Sequence, residues 1–140
     1  MRRPRFVAAL AAVSCFFSAW PGGLAKPPAV TSIFPPGGKS GSTFELTAAD
    51  APDPWPSAAW ASHAGIKLEP LKDKKGVYKT TIAADTPVGP HLVRFYNVDG
   101  SSQPRTFFVG LAGETAEVEP NDKLDAAQFL ENTPVGVNGR

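Results

Sequence analysis

Residues 77–100 read VYKTTIAADTPVGPHLVRFYNVDG, and the pattern of this stretch decides the fold. In residues 77–82, the first part of this stretch, Tyr78 and Ile82 fall on one face of an extended chain and Lys79 falls on the other. Such alternation is typical of a half-buried β-strand. Residues 85–90, DTPVGP, then supply turn chemistry. The stretch therefore predicts a strand, a turn and a second strand.

The second run, residues 91–96, is the strongest strand candidate in the chain. Leu92 and Arg94 lie on one face, and Val93 and Phe95 lie on the other. We expect Phe95 in a hydrophobic core, together with Leu92 or Val93. By the same reasoning the core also receives Phe44, Leu46 and either Phe107 or Phe108.

The same short alternations recur through the middle of the chain, with turn residues between them. About seven short strands and no long helical period predict an all-β fold, a β-sandwich. Residues 36–41 are turn chemistry throughout, and residues 50–56, with three prolines, are a loop. Besides the two runs above, strands are expected at residues 30–35, 43–47, 66–69 and 105–109.

The first 25 residues have the layout of a secretory signal peptide. A basic start precedes an almost wholly apolar run from Phe6 to Trp20, and small residues at Gly23 and Ala25 suit a cleavage site before Lys26. The apolar run is short for a transmembrane span. We therefore expect a protein that is secreted or placed at the cell surface or in the periplasm, with no membrane contact after cleavage. A retained anchoring helix is the alternative.

Removal of this segment changes the charge and the cysteine content. Three of the 14 Lys and Arg residues lie within residues 1–25, which leaves 11 against 13 acidic residues, a net charge of −2. This balance argues against a nucleic-acid partner. Cys15, the only cysteine, is also lost, so the mature chain has no disulfide. Two His and no Cys exclude the usual zinc ligand sets.

Two motifs stand before predicted strands: IFPPGG (residues 33–38) leads into TFEL (43–46), and Pro87-Val88-Gly89 precedes the strand at 91–96. In these features residues 28–110 resemble immunoglobulin-like modules of the transcription-factor-immunoglobulin (IPT/TIG) type. The resemblance implies an Ig-like β-sandwich over residues 26–112. The loop that holds Trp55 and Trp60 departs from the short form of these modules.

The last part of the chain is acidic and has a different character. Six of the 13 acidic residues follow position 113, and the motif EVEPND covers residues 117–122. A helical run (residues 124–130) and a short apolar alternation, Val135 and Val137, come next. The motif resembles the start of bacterial pre-peptidase C-terminal (PPC) domains. Residues 113–140 are therefore expected to be an acidic linker and the truncated start of such a domain, whose partners are downstream domains of the same polypeptide.

This resemblance also implies a calcium site. In collagen-binding members of secreted clostridial-type collagenases, a Glu-x-Glu-x-Asn-Asp linker ligates calcium, and Glu117, Glu119, Asn121 and Asp122 match it position by position. Calcium prefers such hard oxygen ligands, so Ca²⁺ is the one cofactor expected, with further ligands from downstream residues. The alternative is a solvated acidic linker in which Asn121 and Asp122 cap the following helix.

No motif for catalysis stands out. Gly38-Lys39-Ser40 ends like a phosphate loop but lacks its first glycine and its helix. His63, in a loop, and His91, on a strand, are the candidate general bases, and neither lies in a known catalytic pattern. We therefore expect a non-catalytic spacer or adhesion module of a secreted bacterial multidomain protein, not an enzyme.

Trp55 and Trp60 allow a second interpretation. Exposed tryptophans stack on sugar rings or anchor a protein partner. The sequence thus leaves open a carbohydrate- or protein-binding module, with an extracellular polysaccharide or protein as its ligand. The alternative is that one or both rings cover the open end of the core.

Overall fold

The computed structural model describes residues 26–50 and 52–139, and within them the structure is all-β. The predicted signal peptide, residues 1–25, lies outside the described residues. One 3-10 helix, Leu124–Ala126, interrupts the series of strands. The strands are β1 (Ile33–Phe34), β2 (Gly37–Lys39), β3 (Thr43–Ala48), β4 (Ala58–Ala61), β5 (Ile66–Pro70), β6 (Val77–Ile82), β7 (Gly89–Asn97), β8 (Gly100–Ser101), β9 (Arg105–Gly110), β10 (Gly113–Ala116) and β11 (Val135–Asn138).

Nine of these strands form two sheets. The first sheet has the order β1-β3-β6-β5, and all of its neighbouring strands are antiparallel. The second sheet has the order β2-β9-β7-β4, with β8 beside β7. In the second sheet β2 runs parallel to β9, whereas the other pairs are antiparallel. A separate parallel pair, β10 and β11, follows the sandwich along the chain.

The two sheets share one apolar core, as expected of a sandwich. Tyr78 from the first sheet contacts Phe95 from the second, with ring centroids 4.9 Å apart. Phe44 and Phe107 stack across the same space at 6.4 Å. The fully or almost fully buried apolar side chains are Val30, Ile33, Leu46, Ala48, Ile66, Leu68, Tyr78, Ile82, Val93, Phe95, Phe107 and Val109.

The structure confirms which residues of the alternating strands face the core. It also decides between Leu92 and Val93 and between Phe107 and Phe108, which the sequence left open. Val93 is completely buried, whereas Leu92 is 46% exposed. Phe107 is likewise buried, and Phe108 is 53% exposed. Successive side chains in a strand point to opposite faces, so burial of one member of each pair places its neighbour in solvent.

The prediction that residues 36–41 are turn throughout is wrong, because β2 lies there. Pro35 lies at the end of the expected first strand. After Pro36 the chain continues as β2 in the second sheet, whereas β1 belongs to the first. The two glycines of β2 allow close packing. A Cβ added to Gly37 would lie 2.3 Å from the Phe108 carbonyl oxygen, and one on Gly38 would lie 2.3 Å from the Phe44 ring.

The loop predicted to hold Trp55 and Trp60 is also shorter than predicted. Residues 58–61 form β4, an edge strand of the second sheet, and Trp60 pairs with Arg94 of β7. Alanines occupy the other three positions of β4. Pairing with β7 rather than intrinsic strand propensity therefore defines this strand.

The predicted helix at residues 124–130 is reduced to the single 3-10 turn Leu124–Ala126. Leu124 is 96% exposed and Phe129 is 84% exposed, so no packed apolar face supports a longer helix. The residue at the N-cap is Lys123, without a side-chain capping hydrogen bond, so the predicted capping by Asn121 and Asp122 is wrong. The apolar alternation that follows does form a strand, β11.

The neighbouring phenylalanines of β9 provide a matched test of the core. Phe107→Ala removes a buried ring and is expected to lower the free energy of unfolding by about 3–5 kcal/mol. Phe108→Ala removes the same atoms from a half-exposed position, and a much smaller loss is expected, near 0.5 kcal/mol. Urea denaturation of both variants measures the difference. Equal losses of stability in the two variants would contradict the assignment of Phe107 to the core and Phe108 to the surface.

Candidate functional site

The acidic segment begins where β10 ends, and its side chains interact with one another. The Glu117 backbone N–H donates to the Asn138 carbonyl oxygen at 2.9 Å, which continues the β10–β11 pairing. Asn121 donates hydrogen bonds to two carboxylates. Its backbone N–H donates to Glu119 Oε2 at 3.0 Å, and its Nδ2 donates to Glu117 Oε1 at 3.1 Å.

Three of the four predicted calcium ligands are thus gathered around one residue. Gly139 lies close behind Glu117, since a Cβ there would stand 2.6 Å from Glu117 Oε2. Asp122 is exposed. Across residues 26–50 and 52–139, no three His, Cys, Asp or Glu side chains lie together as a metal-binding group. The side chains grouped here are two carboxylates and one amide, which turns its Nδ2 toward Glu117. Carboxylate and amide oxygens suit calcium, but this set is too small to surround the ion alone.

The Gln128 side chain hydrogen-bonds to the backbone at the end of β10, a contact that the sequence did not predict. Its Oε1 accepts from the Val118 N–H at 2.9 Å, and its Nε2 donates to the Ala116 carbonyl oxygen at 3.1 Å. The amide thereby pairs with the backbone as a neighbouring strand would. Asn138 of β11 bonds to a side chain instead, donating to Glu114 Oε2 at 2.8 Å. No motif signals these roles, because the first depends on folding of the chain between residues 118 and 128 and the second on the pairing of β10 with β11.

The two tryptophans have different environments. Trp55 is partly buried and packs against the core, with its ring edge-on to Tyr78 at 5.3 Å. Its Nε1 donates to the Leu71 carbonyl oxygen at 3.2 Å. Trp60 is 49% exposed and borders a groove of about 590 Å³ between β4 and β5. Trp55 therefore covers one part of the core, and Trp60 alone of the two presents its ring to solvent.

Tyr78 carries the buried polar contact at the centre of the sandwich. Its hydroxyl lies 2.6 Å from Ser57 Oγ, and both residues are buried. Burial raises the pKa of Tyr78, and the hydrogen bond with Ser57 opposes part of that shift. Because a buried hydroxyl without a partner costs about 1–3 kcal/mol, each residue depends on the other. Ser57 lies outside every predicted strand, so its role was not foreseen.

A cleft of about 370 Å³ separates the sandwich from β10. Phe34 and Phe44 form apolar parts of its lining, and Glu45 and Glu114 also contribute to it. β10 therefore lies beside β2, the edge strand of the second sheet.

The two histidines lie together, which the sequence did not predict. His63 follows β4 and His91 belongs to β7, with ring centroids 5.7 Å apart and an interplanar angle of 64°. The Gly65 N–H donates to His63 Nδ1 at 3.1 Å, and His91 Nε2 lies 2.8 Å from the Pro87 carbonyl oxygen. Without β4 as a predicted strand, nothing in the sequence relates these two positions.

Comparisons with protein-family models, with curated proteins and with solved structures found no match for this chain. In the part of the chain that the structure describes, no helix has the length and apolarity needed to cross a membrane.

The Tyr78 contact leads to a pH-dependent prediction. The folded-state pKa is raised, so the stability that the neutral phenol contributes is fully present below about pH 10 and is lost as the pH rises through the folded-state value. Tyr78→Phe is expected to reduce this alkaline loss. At neutral pH it should cost roughly 1–3 kcal/mol, because Ser57 loses its partner.

The control is Tyr96→Phe, since Tyr96 is 44% exposed. Chemical denaturation at a series of pH values measures both variants against the parent chain. An alkaline loss that is unchanged in Tyr78→Phe would contradict the assignment to this residue.

Proposed function

We propose that residues 26–112 are a non-catalytic Ig-like spacer or adhesion module of a secreted bacterial multidomain protein. The strand order supports this proposal. In constant-type Ig domains one sheet has the order ABED and the other contains C, F and G. If β1, β3, β6 and β5 are A, B, E and D, the second sheet reads A′-G-F-C through β2, β9, β7 and β4.

The positions of the two chain ends carry the spacer proposal. The Lys26 carbonyl oxygen accepts from Asn97 Nδ2 at 3.1 Å, at the last residue of β7. At the other end of β7, Gly89 pairs with Val109, next to the exit of β9 at Gly110. The nine residues of β7 span about 26 Å at roughly 3.3 Å per residue. The chain therefore enters the sandwich at one end and leaves at the other, as a module in a linear array must.

Residues 113–140 are proposed to begin a PPC-type domain with a calcium site. Glu117, Glu119 and Asn121 would hold the ion through carboxylate and amide oxygens, and Asp122 would complete the motif. Calcium would supply the charge neutralisation that lets two neighbouring carboxylates share one position. The hydrogen bonds from Asn121 to both glutamates support this grouping.

The alternative function is ligand binding, and the exposed ring of Trp60 is the observation that favours it. An extracellular polysaccharide or protein would contact Trp60 at the β4–β5 groove. Trp55, which the sequence analysis paired with it, has its indole N–H occupied by Leu71 and its ring against Tyr78. Binding through this face would therefore depend on Trp60.

The spacer proposal predicts a fixed distance between the two ends of the module. Fluorescent labels at Lys26→Cys and Leu111→Cys are expected to give one narrow energy-transfer distribution, at a separation of about 25 Å or more. The exported chain has no other cysteine, since Cys15 precedes the expected cleavage site. A Gly/Ser linker of equal length is the control, and a broad distribution is expected for it. A broad distribution for the module, or ends close together, would contradict a rigid spacer.

The calcium proposal predicts weak binding by this chain, about millimolar, because water must fill the remaining coordination positions. Glu119→Ala should abolish the calorimetric signal, whereas Glu131→Ala, in the same acidic region, should preserve it. A rise in melting temperature with calcium should follow the same pattern. If the parent chain shows neither heat nor a rise, the segment is an acidic linker.

A further inference from the structure

His63 and His91 lie beside each other just past the point where the pairing of β4 with β7 ends. Ala61 pairs with Val93, and the Ser62 N–H donates to the Leu92 carbonyl oxygen at 2.8 Å. His63 and His91 come next along the two segments, and their ring centroids are 5.7 Å apart. Strand β7 and the bend that follows β4 thus hold two imidazoles side by side.

In the neutral form of both rings the lone pair lies on Nδ1, and that of His63 accepts from the Gly65 N–H. The Pro87 carbonyl oxygen can only accept, so His91 Nε2 carries the proton and Nδ1 is free to bind a ligand. His63 Nδ1 accepts from the Gly65 N–H, so the proton of that ring is on Nε2. A histidine whose second nitrogen donates to a backbone carbonyl is the usual arrangement of a metal ligand, because that bond fixes the tautomer and the ring.

An unpaired oxygen lies beside the pair. Thr86 is 3% exposed, and in the described part of the chain its Oγ1 has no hydrogen-bond partner. A Cβ added to Gly65 would lie 2.3 Å from Thr86 Oγ1 and 3.1 Å from His63 Nδ1, so the hydroxyl and the imidazole approach the same point. Buried polar atoms are normally paired, and a water bound to a metal ion at His63 would supply the missing donor.

We propose that His63 and His91 chelate a divalent late first-row transition metal, with Cu²⁺ bound most tightly. Imidazole nitrogen suits copper, nickel and zinc, and affinity among them is highest for Cu²⁺. At His63 the ion replaces the Gly65 N–H at Nδ1, and no proton leaves either ring. Water completes the coordination, so the site differs from four-ligand structural zinc sites. It uses none of the oxygen ligands assigned to calcium and does not depend on the spacer function.

The test is calorimetric titration of copper(II) chloride into the exported chain near neutral pH, with electron paramagnetic resonance to count the coordinated nitrogens. One Cu²⁺ per chain and two imidazole nitrogens are expected. His63→Gln and His91→Gln should each weaken binding at least about tenfold, since even loss of an outer partner of a metal ligand costs roughly 10- to 100-fold. Nickel and zinc should bind more weakly than copper.

Glu131→Ala is the matched control, because Glu131 is exposed and lies outside both proposed sites, and it should leave copper binding unchanged. Retention of the parent affinity to within about twofold in either histidine variant would overturn the proposal. So would a spectrum of the parent chain with fewer than two imidazole nitrogens, a measurement that does not require the variants to fold. Melting curves of the variants without metal establish that any loss of affinity is not a loss of structure.

Discussion

Burial of the Tyr78 ring is the interaction on which the sandwich depends. The residue lies on β6, between β3 and β5, and is completely buried. Its ring meets Phe95 of the opposite sheet and Trp55 of the loop that leads to β4. Its hydroxyl is paired with Ser57 at the start of that strand. One side chain therefore joins the two sheets and also fixes the segment that passes between them.

The sandwich and the C-terminal segment are held together by different forces. Within the sandwich, twelve buried apolar residues form one cluster. The C-terminal segment instead relies on the backbone pairing of β10 with β11 and on the side-chain amides of Gln128, Asn121 and Asn138, while Leu124 and Phe129 remain exposed. A net contribution of about 0.5–1.5 kcal/mol per hydrogen bond is small beside the loss of chain entropy on ordering. The segment is thus expected to open at a lower free energy than the sandwich.

Local patterns sufficed to predict the strands that alternate strongly. Leu46 and Phe95 were predicted to lie in the core, and Tyr78 and Ile82 to share one face of a strand, because period-two patterning identifies which residues point the same way. Gly37 and Gly38 were misread because glycine serves turns and close backbone packing equally well, and only the position of β9 distinguishes these uses. Strand β4 was missed because its alanines carry little strand preference. The proximity of His63 to His91 was missed with it, since that proximity depends on the pairing of β4 with β7.

The direction of β2 beside β9 has a mechanical consequence. The first strand of the second sheet and its last long strand run parallel, joined from Gly37 and Phe108 to Lys39 and Gly110. The Phe108 N–H donates to the Pro36 carbonyl oxygen and the Ser40 N–H to the Gly110 carbonyl oxygen, so bonds close both ends of the pair. Tension applied through the two chain ends pulls these strands in opposite directions along their length. All of the hydrogen bonds between the two strands are then loaded in shear at the same time, instead of breaking one after another.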